Sequence, residues 1–253
     1  MKILVTNDDG LFAPGIRALT EVAKEFGDVV VVAPDSPKSG QGHAITIESP
    51  IRLKKVNYMD GVEAYECSGT PVDCVKLAKN VLYKNDEISF CFSGINHGSN
   101  ASINIIYSGT MSAAMEASLE GIPSIGFSLL DYGHDADFKP AQHYARKIIA
   151  HCMKNGFGNT MLLNVNIPKM GVDDIKGIKI CRQSKAGWKE EFQEGVDPRG
   201  QKYYWLTGTF VHDDPGTDDD WTALESGFVT VVPVSSDMTD YQAIGSLESL
   251  QKI

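Results

Sequence analysis

The sequence predicts an α/β protein built on a mostly parallel sheet, and three observations lead there. Short apolar runs recur along the chain: Ile3-Leu4-Val5, Val29 to Ala33, Ile88 to Phe92, Pro123 to Leu129 and Met161 to Ile167. Each is too brief for a helix, and its largely apolar character suits a strand buried on both faces. Amphipathic stretches alternate with these runs. The chain also begins strand, helix, strand, the unit of a parallel sheet with right-handed crossovers.

The elements follow in order. Pro14 suits a first helical turn, and Ile16, Leu19, Ala23 and Phe26 share a face before Gly27 closes the helix. Residues 44 to 48, 51 to 57 and 62 to 67 read as three β segments, broken at Ser49-Pro50 and Asp60-Gly61, an antiparallel excursion. Ser68-Gly69-Thr70-Pro71 starts a helix whose apolar face is Val72, Val75, Leu77, Ala78, Val81 and Leu82; it caps that helix or also binds phosphate. A further helix opens at Ser108-Gly109-Thr110 and ends at Gly121, and another covers residues 140 to 154. Beyond Pro168 the character changes. Residues 172 to 180 form a strand-rich join, and residues 188 to 210 a long hairpin turning at Asp197-Pro198-Arg199-Gly200. Trp188, Phe192, Tyr203, Tyr204 and Trp205 make that hairpin an arm that packs on something else, with another subunit as one candidate. Asp218, Asp219 and Asp220 cap a helix, a metal role being the alternative. A strand over 227 to 233 and a helix over 239 to 251 close the chain. The whole, 1–253, reads as one domain, with 1–168 the catalytic core and 169–253 an extension.

Composition narrows the function. With 253 residues and a formal charge of −10, the chain lacks the basic face that DNA or RNA polymers need, though a single nucleotide remains open. Five cysteines, widely spaced and without a Cys-x-x-Cys pair, suggest reduced, buried thiols. No stretch has the length of a signal peptide or membrane span, so the expected location is the cytoplasm.

The chemistry gathers at strand ends. Asp8 and Asp9 follow the first apolar run, where open α/β sheets bind ligands. Adjacent carboxylates call for a compensating cation, and hard oxygen donors favour Mg²⁺, Mn²⁺ or Ca²⁺ over zinc; ordinary turn chemistry also accounts for Asn7-Asp8-Asp9-Gly10. Ser39, in a small-residue loop leaving the same edge, is within reach of the pair, or is simply a turn residue. Asn96, placed just past the strand that ends at Phe92, can complete the oxygen set. Ser108, Gly109 and Thr110 offer free amides and hydroxyls as a phosphate cradle that is neither a Walker loop nor a dinucleotide fingerprint.

Ile-Leu-Val-Thr-Asn-Asp-Asp-Gly at 3 to 10, Ala-Pro-Asp-x-x-x-Ser-Gly at 33 to 40, Cys-Ser-Gly-Thr-Pro at 67 to 71, Ser-Gly-Ile-Asn-x-Gly-x-Asn at 93 to 100 and Tyr-Ser-Gly-Thr at 107 to 110 stand in the order seen in the SurE family of stationary-phase survival proteins, which this chain resembles. Asn164-Val165-Asn166-Ile167-Pro168 and Thr217-Asp218 extend the match. The resemblance implies a Rossmann-like three-layer domain and a metal-dependent phosphatase acting on nucleoside 5′- and 3′-monophosphates and on short polyphosphate. It also implies one divalent ion per subunit on Asp8, Asp9, Ser39 and Asn96, and homodimers or homotetramers formed by exchanged C-terminal segments. Ala101 and Ile103 depart from the Gly-x-Asp expected after Asn100.

On this reading a divalent ion polarises the phosphate and activates water, while Ser108, Gly109 and Thr110 hold the remaining oxygens. Asn7 orients the ligands or merely shapes the turn; His43 and His97, the histidines nearest the site in sequence, either protonate a leaving group or merely face solvent. A covalent mechanism on Asp8 is disfavoured because residue 10 is Gly where a partner acid would stand. The remaining alternatives are an exopolyphosphatase and a non-catalytic nucleotide-binding regulatory module.

Overall fold

The computed structural model describes residues 1–133 and 135–253, the side chain of Lys252 excepted. Its centre is β1 (Lys2–Thr6), flanked by β2 (Asp28–Pro34) and β5 (Phe90–His97). Outward from β2 lie β4 (Val62–Cys67) and β3 (Leu53–Met59); outward from β5 lie β6 (Ser124–Leu129), β7 (Leu162–Ile167), β11 (Val229–Val234) and β8 (Ile178–Ile180). The six strands from β4 to β7 are parallel, while β3 and β11 run antiparallel to β4 and β7. The chain leaves β1 towards β2 and later returns to β1's other side with β5. The crevice beyond the carboxyl ends of β1 and β5 is therefore the topological switch point, where such sheets bind ligands.

Alternation along β1 sorts the layers. Ile3 and Val5 face α1 (Pro14–Ala23) and α5 (Lys139–Asn155), whose Ile16, Leu19, Val22, Ala145, Ile149 and Cys152 are buried there. Leu4 faces the opposite layer, α2 (Pro71–Leu77) and α4 (Gly109–Leu119), with Val75, Ala113 and Ala117. A helix–sheet–helix sandwich results, the three-layer α/β fold expected. All five cysteines are free and buried. Among the described residues no helix is long and apolar enough to cross a membrane.

The hairpin, β9 (Gly187–Val196) with β10 (Lys202–Val211), is a separate two-stranded sheet paired in register from Gly187↔Val211 to Val196↔Lys202. Asp197 closes its loop by accepting the amides of Arg199 at 2.8 Å and Gln201 at 2.9 Å.

Several expectations are corrected. Residues 44 to 48 form no strand, because their polar groups are taken by the start of α2: Ala44 O accepts the Thr70 hydroxyl at 2.7 Å, and the Thr46 hydroxyl donates to Asp73 at 2.6 Å. The strand expected to end at Phe92 runs on to His97, so Asn96 is its penultimate residue rather than one beyond it. Of residues 172 to 180 only the last three are strand. The final helix is a turn followed by a 3₁₀ segment, Gly245–Lys252. A one-turn helix, α3 (Asn104–Tyr107), and a short α6 (Asp220–Glu225), capped by Asp219 through the amide of Thr222 at 2.9 Å, complete the chain.

Candidate active site

Asp8, Ser39, Asn96 and Ser108 line one open cleft of about 200 Å³ at the switch point. A larger groove of about 570 Å³ between α5 and the strands β7, β8 and β11 is apolar and carries no carboxylate. Volume therefore does not identify the site; the chemistry does.

Asp8 is 4% exposed. One of its carboxylate oxygens accepts the hydroxyl of Thr110, and the amide of Gly109 bonds the same carboxylate. Gly109 is required for this approach, since a Cβ there would come within 2.5 Å of the Asp8 Cβ. The first turn of α4 is thus pressed against the acid. Burial pushes the Asp8 carboxyl up from 3.8 to about 6, helped by the neighbouring charge of Asp9 and opposed by the Thr110 bond. Burial also raises Asp9, and the His97 amide, donating to it at 3.3 Å, works against that rise.

The other donors are held by their own ties. Asn96 spends its NH₂ on the carbonyls of His97 at 3.1 Å and Gly98 at 2.8 Å, which leaves its amide oxygen for an outside partner. Ser39 sits on an irregular loop pinned at several points. Lys38 N donates to Asp8 O at 2.8 Å, Gly42 N to Tyr107 O at 3.1 Å, and His43 meets the buried Glu116 at 2.8 Å. His43 is therefore engaged away from the cleft, whereas His97 lines it. Asn7 makes the turn bond, donating to Gly10 O at 3.0 Å, while its buried Oδ1 has no protein partner.

Two carboxylates, a hydroxyl and an amide oxygen fit a hard divalent ion, their two negative charges offsetting its two positive ones. Among the described residues no group of three or more His, Cys, Asp or Glu is placed to hold a metal, so this set depends on its neutral members, Ser39 and Asn96. Of the expected phosphate cradle, Ser108 lines the cleft and caps α4 by accepting the amide of Met111 at 3.0 Å. Thr110 is fully buried, with its hydroxyl given to Asp8. Ser68, Gly69 and Thr70 do not join them; Thr70 and Asp73 form a reciprocal cap at the start of α2.

A supporting network escaped the sequence reading. Asn166 accepts from the Ser99 hydroxyl at 3.1 Å and the Asn100 amide at 2.8 Å. Asn164 donates to Asn100 O at 2.8 Å, and Asn100 to Ser128 at 2.8 Å. The signal was present: two asparagines alternating inside the otherwise apolar run Leu162–Ile167. After Asn100, Ala101 is buried and Ser102 adopts φ 57°, held by the buried Asp220 through its amide at 2.9 Å.

Comparison with known proteins agrees with this picture. The model of the family described as survival protein SurE matches residues 3–190. A protein of Christiangramia forsetii named 5′-nucleotidase SurE is 56% identical over 98% of this chain and 95% of its own length. One of the same name from Petrotoga mobilis is 39% identical over 98% of both chains. The crystal structure of the SurE protein from Aquifex aeolicus, 37% identical, superimposes with a TM-score of 0.85 and covers 99% of this chain and 100% of that one. Switch-point geometry, motif order and these relatives converge: the chain belongs to the SurE family.

Proposed function

We propose that the protein is a divalent-metal-dependent phosphomonoesterase that hydrolyses nucleoside 5′-monophosphates, and 3′-monophosphates, to nucleoside and phosphate in the cytoplasm. The observation that carries this reading is the contact between Asp8 and the first turn of α4. It sets the acid pair, to which we assign the cation, beside a helix N-terminus that favours anions, and the two together support a phosphate-ester site. The names of the relatives support the choice of substrate.

Asp8, Asp9, Ser39 and Asn96 would hold an ion such as Mg²⁺ or Mn²⁺, which would supply Lewis-acid polarisation and lower the pKa of water. Thr110 and Gly109 fix the Asp8 carboxylate, and the His97 amide fixes Asp9. Ser108, which lines the cleft, holds a phosphoryl oxygen through its hydroxyl, and the N-terminal dipole of α4 favours the charge that builds there. The imidazole of His97, which lines the cleft, is the group we assign to giving the leaving oxygen a proton. The test is phosphate release from a panel of nucleotides and polyphosphates after exhaustive chelation, with single metals added back. Activity that survives chelation would overturn the metal dependence, and turnover confined to polyphosphate would replace the substrate.

We also propose that the β9–β10 arm is exchanged between subunits in a homodimer or homotetramer. Its aromatic side chains are exposed, and exchange of identical arms is a low-cost route to closure.

A further inference from the structure

We propose that Tyr107, Tyr132 and Trp188 form a stacking rim that takes the nucleobase of a nucleotide whose phosphate sits at Ser108. This rests on the phosphomonoesterase reading and adds the place and manner of base recognition. All three residues line the cleft that contains Asp8, Asn96 and Ser108. Their exposures are 52%, 70% and 47%, so three large rings surround one opening with much of their surface free. The cleft's 200 Å³ falls below the roughly 300–1,000 Å³ of pockets that enclose a whole ligand. A phosphate fits inside, and a nucleoside must lie across the rim.

Two of the rings, those of Trp188 and Tyr132, are held in place. Trp188 donates its Nε1–H to Asn104 Oδ1 at 2.8 Å, and its ring packs edge-on against Phe210 at 5.4 Å between centroids, which in turn lies 4.3 Å from Trp221. Tyr132 lies across Gly98, where a Cβ would come within 2.3 Å of the ring. Tyr107 immediately precedes Ser108, and its carbonyl accepts the amide of Gly42 at 3.1 Å. Rings fixed in this way lose little entropy on stacking against a planar ligand. Asn104 spends its amide oxygen on Trp188 instead of offering it to a base edge. Recognition by π-faces alone accepts every base, with larger purines favoured by area.

The experiment measures binding of the non-hydrolysable phosphonate analogue of adenosine 5′-monophosphate and of inorganic phosphate by calorimetry, with Mn²⁺ present, in the parent and in Trp188→Ala, Tyr132→Ala and Trp188→Phe. Stacking predicts a loss in nucleotide affinity on the order of tenfold or more in each alanine variant, a much smaller change for phosphate, and partial recovery in Trp188→Phe. Equal losses for both ligands, or an altered oligomer mass without a selective loss, would overturn the rim. Binding separates this proposal from the reading beneath it: a parent that binds the nucleotide through Trp188 yet hydrolyses no ester keeps the rim and loses the phosphomonoesterase.

Discussion

β5 and β10 are both long strands, of eight and ten residues, held by opposite means. β5 lies between β1 and β6, and Cys91, Phe92, Ser93 and Ile95 are sealed in. β10 has a single neighbour, and Tyr203, Tyr204, Trp205 and Leu206 are exposed along it. A core defines the first strand, while cross-strand pairs alone define the second, and an isolated two-stranded hairpin is marginal in water. The site hangs from the strand that cannot move. The arm contributes at its root, where Trp188 and Phe210 are anchored, while the large side chains of its outer part are exposed.

Truncation should expose this difference most strongly in the sheet. Phe92→Ala removes a ring that is 1% exposed and should cost about 3–5 kcal/mol, whereas Trp205→Ala should change the unfolding free energy of a single chain by about 0.5 kcal/mol or less. Denaturant midpoints of the two variants test the contrast, and comparable losses would mean the arm belongs to the core. A smaller effect lies at the site. Asp8, with a folded value of about 6 against an ordinary 3.8, keeps its proton longer when folded. Its contribution to stability is complete below pH 3.8 and is lost as pH rises to about 6, so at neutral pH its buried charge opposes folding. In protein stripped of divalent ions, Asp8→Asn should gain on the parent by about 2 kcal/mol between pH 4 and pH 7, while losing activity when metal is returned. A stability gap that does not change with pH would show that the carboxylate is solvated.

Local signals explain what the sequence disclosed. β1 and its Asp pair are contiguous, the start of α2 carries Thr-Pro with Asp73, and the hairpin's alternation ends at a strong turn. The course of the Ser39 loop was hidden because its anchors are distant side chains: His43 reaches Glu116 across 73 residues and Thr46 reaches Asp73 across 27. Isolated apolar residues such as Ile45 and Ile47 therefore passed for strand, though both are exposed. Thr110 was legible as a helix opener, but its bond to Asp8 depends on how α4 packs. Trp188 was grouped with the arm because nothing local tells the root of a hairpin from its tip.

The smallest expected effect on a single chain's fold, and the most direct test of the arm, is its removal. The register pairs Lys189 with Thr209, so deleting residues 190–208 and joining the two with Asn-Gly leaves a two-residue hairpin turn. Trp188, paired with Phe210, stays in place, and so does its bond to Asn104. The deletion removes Phe192, Tyr203, Tyr204, Trp205 and Leu206, all at least 45% exposed, so the sandwich loses little of its packing. Metal binding at the N-terminal motifs should persist, while light scattering should report a smaller assembly than the parent's. An unchanged mass would place the subunit contacts elsewhere. A parent that is itself monomeric would leave the exposed aromatics without a second copy of this chain to cover them, and would end the exchange proposal.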